Sequence, residues 1–177
     1  HLTDCKLDLL SDDAMFNMIH QNLLGGVAMI SKRRGTANNK YMKQHFDPKK
    51  PSKYLLYVDA NNLYGWAMSQ PLPDSKFEWI DEKEWESIDW LTQTADQDHG
   101  YIVECDLGYP DVLHDIHSRY PLAPERMTVD TEFLSAEQVD IGAQYQSTHI
   151  HSPKLVPNLF PKEKYSCPHM TLKFYLE

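Results

Sequence analysis

Tyr54-Leu55-Leu56-Tyr57-Val58-Asp59-Ala60-Asn61-Asn62-Leu63-Tyr64-Gly65-Trp66-Ala67-Met68-Ser69-Gln70 is the stretch on which the reading of this chain turns. Residues 54–58 are an unbroken apolar run, rich in aromatic and branched side chains, as in a strand buried on both faces. The run ends at Asp59. A carboxylate at the end of a buried strand is costly unless a cation or a helix N-terminus stands nearby. Asn61 and Asn62 suit a tight turn, because their short amides bond to nearby backbone groups. Pro71 and Pro73 close the segment. The same pattern also suits a structural strand ended by a capping Asp.

Outward from this stretch, the chain has 177 residues, 41% of them hydrophobic, enough for one domain with a core. It has no apolar run of about 18 residues, so no membrane-spanning helix and no membrane partner are expected. The start, His-Leu-Thr-Asp-Cys-Lys-Leu-Asp, lacks the basic and apolar segments of a signal peptide. It does not open with Met, and the expectation is a fragment of a longer protein. Cys5, Cys105 and Cys167 are an odd, widely spaced set. They point to reduced thiols in an intracellular setting, the nucleus included, rather than to a disulfide framework. Cys167-Pro168-His169 offers two zinc ligands, but no second close pair completes a site.

The net charge of −9 argues by itself against a nucleic-acid binder. Its distribution says more. Residues 32–53 hold eight of the 17 basic residues and a single acidic one, Asp47, for a local +7. Tyr41, His45 and Phe46 lie within the same stretch. Cations attract phosphates and rings stack on bases, so this pattern fits a single-strand or template path. It equally fits a solvated basic loop.

Ser11 is positioned to cap a helix running to about Leu24, with Met15, Met18, Ile19 and Leu23 on one face. Gly25-Gly26 would end it and permit positive φ, and Val27–Ile30 would be a short strand. Residues 31–53 read as a loop or extended arm, with Pro48 and Pro51 inside it. Asp81 and Glu84 make a capping pair for a helix carrying Trp85, Ile88 and Leu91, a stripe of core type. Tyr101–Leu107 alternates, with Val103, Cys105 and Leu107 facing inward. Past Pro110 only short elements are expected, with Leu155–Leu159 and Met170–Leu176 as the last apolar segments. The expected fold is α+β, with residues 54–58 central in a small, mainly antiparallel sheet joined by 101–107.

Asp59 with Leu63-Tyr64 resembles motif A of family B DNA polymerases, the Asp-x-x-Ser-Leu-Tyr element of the palm. Within that family the chain is most similar to the protein-primed type of Maverick/Polinton mobile elements. The likeness is specific over 54–73. It implies that Asp59 is the catalytic carboxylate holding two Mg²⁺ or Mn²⁺ ions, with the carbonyl of Ala60 a further ligand. It implies that the backbone of Ala60, Asn61, Asn62, Leu63 and Tyr64 meets the deoxynucleoside triphosphate, with the Tyr64 ring excluding a 2′-hydroxyl. The family's usual Ser is Asn62 here, and Gly65 stands where many members have Pro. Neither change removes a charge or a ring.

Upstream, Leu23-Leu24-Gly25-Gly26 resembles the Tyr-x-Gly-Gly element that contacts template strand, with Leu23 in place of the aromatic. Gly25 and Gly26 then join Lys32, Arg33, Arg34 and Lys40 as expected DNA contacts, or else simply cap a helix. The resemblance implies three segments. Residues 1–53 lead into the palm with a helix, the Gly-Gly element and the basic arm. Residues 54–100 carry motif A as strand and turn with the helix after it. Residues 101–177 begin with a palm strand and continue as an insertion that helps hold a terminal priming protein and duplex.

Motif B and the Asp-Thr-Asp of motif C are not found in the sequence. The expected function is therefore a piece of a DNA-directed DNA polymerase, whose two-metal chemistry belongs to a longer protein and which is inactive alone. Two other classes remain: a non-catalytic nucleic-acid-binding remnant, and a structural or interaction module of a mobile element. No Ser/His/Asp or Cys/His pattern supports a hydrolase.

Overall fold

The computed structural model describes residues 6–145 and 152–177; Cys5 lies outside them. The chain divides into two compact units, one made of residues up to Ala28 with Pro71–Glu177, the other of Met29–Gln70. Among the described residues no helix is long and apolar enough to cross a membrane.

The first unit is a small α+β assembly. Helix α1, Asp13–Gln21, is capped by Asp12, whose carboxylate accepts the Met15 N–H at 2.8 Å. Met15, Met18 and Ile19 are half-buried along one face, as their spacing requires, while Leu23 is 62% exposed. The cap is one residue later than Ser11 and the end is earlier than Leu24. Asn22 stops the helix: its amide donates back to the Met18 carbonyl at 3.1 Å, competing with the next turn. Gly25 and Gly26 are not the helix terminus, and no described glycine has positive φ. Val27–Ile30 forms no strand, because no partner pairs with it.

Helix α3, Glu82–Glu86, starts where the sequence places it, with the Asp81 carboxylate accepting the Glu84 N–H at 2.9 Å. It ends after little more than one turn, where the Ser87 hydroxyl donates to the Glu84 carbonyl at 2.6 Å. Ile88 and Leu91 fall beyond it, and Trp85 and Leu91 are about half exposed, so the expected core stripe does not form. Trp90 packs inward instead, edge-on to Tyr101 at 5.8 Å.

Strand β1, Ile102–Leu107, pairs antiparallel with β4, Lys162–Pro168. Val103, Cys105 and Leu107 are half-buried while Glu104 and Asp106 face water, the alternation read from the sequence. On β4 an extra residue enters the ladder: Cys105 pairs with Tyr165, yet Leu107 pairs with Lys162. Lys164 takes φ 49° there, and its N–H donates to the Asp106 carboxylate at 2.8 Å. This bulge resets the side-chain phase, so Lys162 and Tyr165 both turn inward. Helix α6, His169–Leu176, packs back on this ladder. Ala123, Tyr165, Cys167 and Leu172 form the buried centre, with Tyr175 and Trp90 at its margin.

The remaining elements are short. They are α4, Asp111–His117; β2, Glu125–Met127; α5, Ala136–Gln144; and β3, Lys154–Val156. Strands β2 and β3 pair antiparallel as a second, separate ladder. Lys162 joins β4 to this region. Its side chain is 2% exposed and bonds the Phe160 carbonyl at 2.6 Å, the Glu125 carboxylate at 3.2 Å and the Asn158 amide oxygen.

The second unit, residues 29–70, departs from expectation at its most apolar point. Residues 54–58 are extended but belong to neither ladder, and their exposure runs from 60% at Tyr54 to 93% at Tyr57. A strand apolar on both faces needs ladder partners and covering layers, and β1 pairs with β4 instead. The expected central strand is therefore corrected to an extended, uncovered segment. Within the unit, helix α2 is Leu63–Met68.

Candidate functional site

Asp59 follows the extended segment and is exposed to solvent. Burial therefore does not impose the charge cost expected for it. Asn61 and Asn62 form the turn, with Asn62 in the left-handed region at φ 52°, ψ 44°, a conformation that Asn tolerates better than most residues. Helix α2 begins at once, its first bond running from the Trp66 N–H to the Asn62 carbonyl at 3.0 Å. The Ser69 hydroxyl and the Gln70 amide both close on the Trp66 carbonyl, at 2.7 and 3.0 Å. Tyr64 lies in the first turn of α2 and is 79% exposed, so it is not a core tyrosine here.

Asn62 and Gly65 fit each other. A Cβ on Gly65 would stand 2.6 Å from Cγ of Asn62, closer than real carbon contacts allow. The Asn62 amide occupies the space that a side chain at 65 would fill.

For a divalent cation, Asp59 and the Ala60 carbonyl could supply two oxygens. Mg²⁺ requires six in octahedral array. Among the described residues no three His, Cys, Asp or Glu side chains come together to hold a metal. A complete metal centre at Asp59 therefore needs carboxylates beyond those that this unit brings together.

The basic stretch is more ordered than an arm. Asn38 and Lys53 exchange backbone hydrogen bonds of 2.8 and 2.6 Å, closing residues 38–53 into a loop. The Asn38 side chain spans its mouth. Its amide nitrogen donates to the carbonyls of Asp47 (3.0 Å), Lys50 (3.3 Å) and Pro51 (3.1 Å), and its oxygen accepts the Asp47 N–H at 2.9 Å. Asn39, 6% exposed, donates to the Lys53 carbonyl at 3.0 Å and accepts the Tyr41 N–H at 3.1 Å. A 3-10 segment, Lys40–His45, forms the tip, kinked at Lys43 with φ 49°, ψ −108°. Lys40 lies 5.3 Å from the centre of the exposed Tyr41 ring. Lys50 is paired with Asp47 at 3.2 Å.

Of the expected DNA contacts, Lys32, Arg33 and Arg34 are exposed outside any helix or strand, and Lys40 opens the loop tip. Gly25 and Gly26 are exposed in the first unit, and a Cβ on Gly25 would meet nothing within 4 Å. Sequence reasoning missed Asn38 and Asn39; the adjacent pair of loop-forming amides was the available signal.

The Cys167-Pro168-His169 pair is structural. Burial pushes the Cys167 thiol up to about 12, with Cys105 adding to the effect, so it stays protonated in the core. Burial likewise raises Cys105 and, beside Tyr175, Tyr165. His169 is buried at the start of α6. Its Nδ1 accepts the Tyr101 N–H at 3.2 Å and its Nε2 lies 3.3 Å from the Thr94 carbonyl. Both ring nitrogens are therefore already engaged.

No family model, curated protein or solved structure matches the chain.

Proposed function

We propose that the chain is part of a protein-primed DNA-directed DNA polymerase of the family B type, with Asp59 in the catalytic carboxylate position and the Asn61–Tyr64 backbone in the nucleotide position. The observation that carries the reading is the geometry of 59–68. An accessible carboxylate is followed by an Asn turn and a helix whose first turn presents Tyr64 to solvent. A carboxylate and a ring must both be accessible to meet a metal-bound nucleotide. Exposure of the apolar 54–58 segment further supports a role within a larger assembly, because contiguous exposed apolar surface marks interaction sites.

In this reading Mg²⁺ or Mn²⁺, when bound, lowers the pKa of the primer hydroxyl and stabilises charge on the triphosphate. This chain contributes one carboxylate to that centre; the palm's remaining carboxylate, motif B, the exonuclease and the terminal priming protein belong to other parts of the assembly. Residues 101–177 are read as the insertion beside the palm. DNA and a deoxynucleoside triphosphate are the ligands.

The test is primer extension by the polymerase polypeptide that contains these residues. Asp59→Asn should abolish nucleotide addition while leaving oligonucleotide binding intact; extension at the wild-type rate would overturn the assignment. One observation favours a second reading, strand binding without chemistry: among the described residues Asp59 belongs to no group of three or more His, Cys, Asp or Glu side chains. That reading gains if the wild-type polypeptide binds strands yet adds no nucleotide with either metal.

A further inference from the structure

We infer that residues 29–70 are a single-stranded nucleic-acid platform whose binding face is the loop 38–53, held in shape by Asn38 and Asn39. The inference deepens the polymerase reading by naming the surface and the form of the nucleic acid.

Charge is segregated between the two units. Residues 29–70 carry eight basic and two acidic side chains, a net +6, against −15 on the rest of the chain. A polyanion drawn to this protein is attracted by one unit and repelled by the other. The attraction is also concentrated. Lys40, Lys43 and Lys49 are exposed on one closed loop, and among the described residues no ion pair engages them.

The loop is built rather than left to solvent. Six hydrogen bonds from the two asparagine side chains tie its start to the backbone of its tip and its return. Asn39 is itself buried. Lys43 stands in a backbone region that favours glycine, a strain of about 1–3 kcal/mol for a residue with a side chain. A glycine there would remove the strain together with the cation. Retaining lysine is the arrangement expected where the charge is used.

Exposed rings select the form of nucleic acid. Tyr41, Tyr54, Tyr57, Tyr64 and Trp66 are each at least 60% exposed in this unit. Aromatic side chains stack on bases that are free of partners, and a duplex hides those faces. Cations held by a fixed loop, with uncovered rings in the same unit, fit a single strand: phosphates to lysine, bases to rings.

The experiment uses the chain of 177 residues and a fluorescein-labelled oligothymidylate, with a duplex of equal length for comparison, by fluorescence anisotropy from 50 to 300 mM KCl. The single strand should bind more tightly than the duplex. Replacing Lys40, Lys43 and Lys49 by Gln should lower the salt slope by about 2, from roughly 0.7 per phosphate contact on single strands. Tyr41→Ala should weaken binding at least about fivefold with the slope unchanged. Asn38→Ala alters no charge and should weaken binding about tenfold or more, while amide spectra of the β1–β4 ladder stay unchanged. Equal affinity of Asn38→Ala and wild type would show diffuse attraction to lysines, and tighter duplex binding would exclude the ring-stacking role; either result overturns the inference. Primer extension is read separately: strand binding that depends on Asn38 and Tyr41, in a polypeptide that extends no primer, would leave this inference standing while the polymerase assignment falls.

Discussion

Lys162→Met removes a cation from the interior while keeping most of its volume. The side chain is 2% exposed and meets three acceptors, the Phe160 carbonyl, the Asn158 amide oxygen and the Glu125 carboxylate. Methionine fills the channel but donates nothing. The Phe160 and Asn158 oxygens lose their cationic donor, and Glu125 keeps its carboxylate charge with only the Asn158 amide at 2.8 Å. Removing one partner of a buried ion pair costs about 3–5 kcal/mol. Glu125 is 34% exposed and can be hydrated, which places the loss at the low end, about 3 kcal/mol. For a chain of this size that lowers Tm by about 6–12 °C.

The assay is urea unfolding followed by far-UV dichroism and tryptophan emission, with Trp90 beside Tyr101 reporting on the β1–β4 side. Lys162→Met should lower the midpoint in both signals together. Glu125→Gln combined with Lys162→Met should recover part of the loss, since the stranded charge is gone. A loss under about 1 kcal/mol, the value of a surface pair, would refute the view that Lys162 ties β4 to β2.

Three further outcomes follow from the geometry. Cys167 is held protonated by burial, so its contribution is complete below the unfolded thiol range near 9 and is lost as pH rises toward about 12; Cys167→Val should flatten the fall of the urea midpoint between pH 9 and 11, by up to about 1.4 kcal/mol per pH unit. A Gly→Ala change within a helix gains about 1 kcal/mol, but at half-buried Gly65 the new methyl must displace the Asn62 side chain, so Gly65→Ala should gain less than it does after Asn62→Gly; additivity within about 0.3 kcal/mol in this cycle would show that the two positions are independent. On the polymerase reading proposed above, Tyr64→Val in the polypeptide that contains these residues should raise ribonucleotide incorporation relative to deoxyribonucleotide; an equal fall in both would remove the sugar-gate role.

What the sequence made legible is local. Met15, Met18 and Ile19 share a half-buried face because a helix repeats every 3.6 residues, and Asp81 caps because its carboxylate reaches the Glu84 amide. Val103, Cys105 and Leu107 face inward because strand side chains alternate. Each inference needs only neighbours within a few positions. The pairing partner of that strand could not be read in the same way. Residues 162–168 begin Lys-Glu-Lys, which no apolar pattern marks as a buried strand, and the bulge at Lys164 interrupts the period of two. Lys162 is buried through the acceptors gathered around it, not through its own polarity.

Residues 54–58 show the same limit from the opposite side. Their composition suits a central strand, but centrality depends on what else comes to pair, and among the described residues nothing does. The site divides along this line too. The turn at Asn62 and the short helix after it are written locally, and so is the accessibility of Tyr64 that results. Whether Asp59 gains metal-binding partners depends on side chains far away in sequence. The loop 38–53 lies between these cases: its charge was plain, but its shape depends on two asparagines reaching carbonyls up to 14 residues away. Charge-neutral substitution at Asn38 is therefore the sharper probe of that loop. It separates what the lysines do by number from what they do by placement.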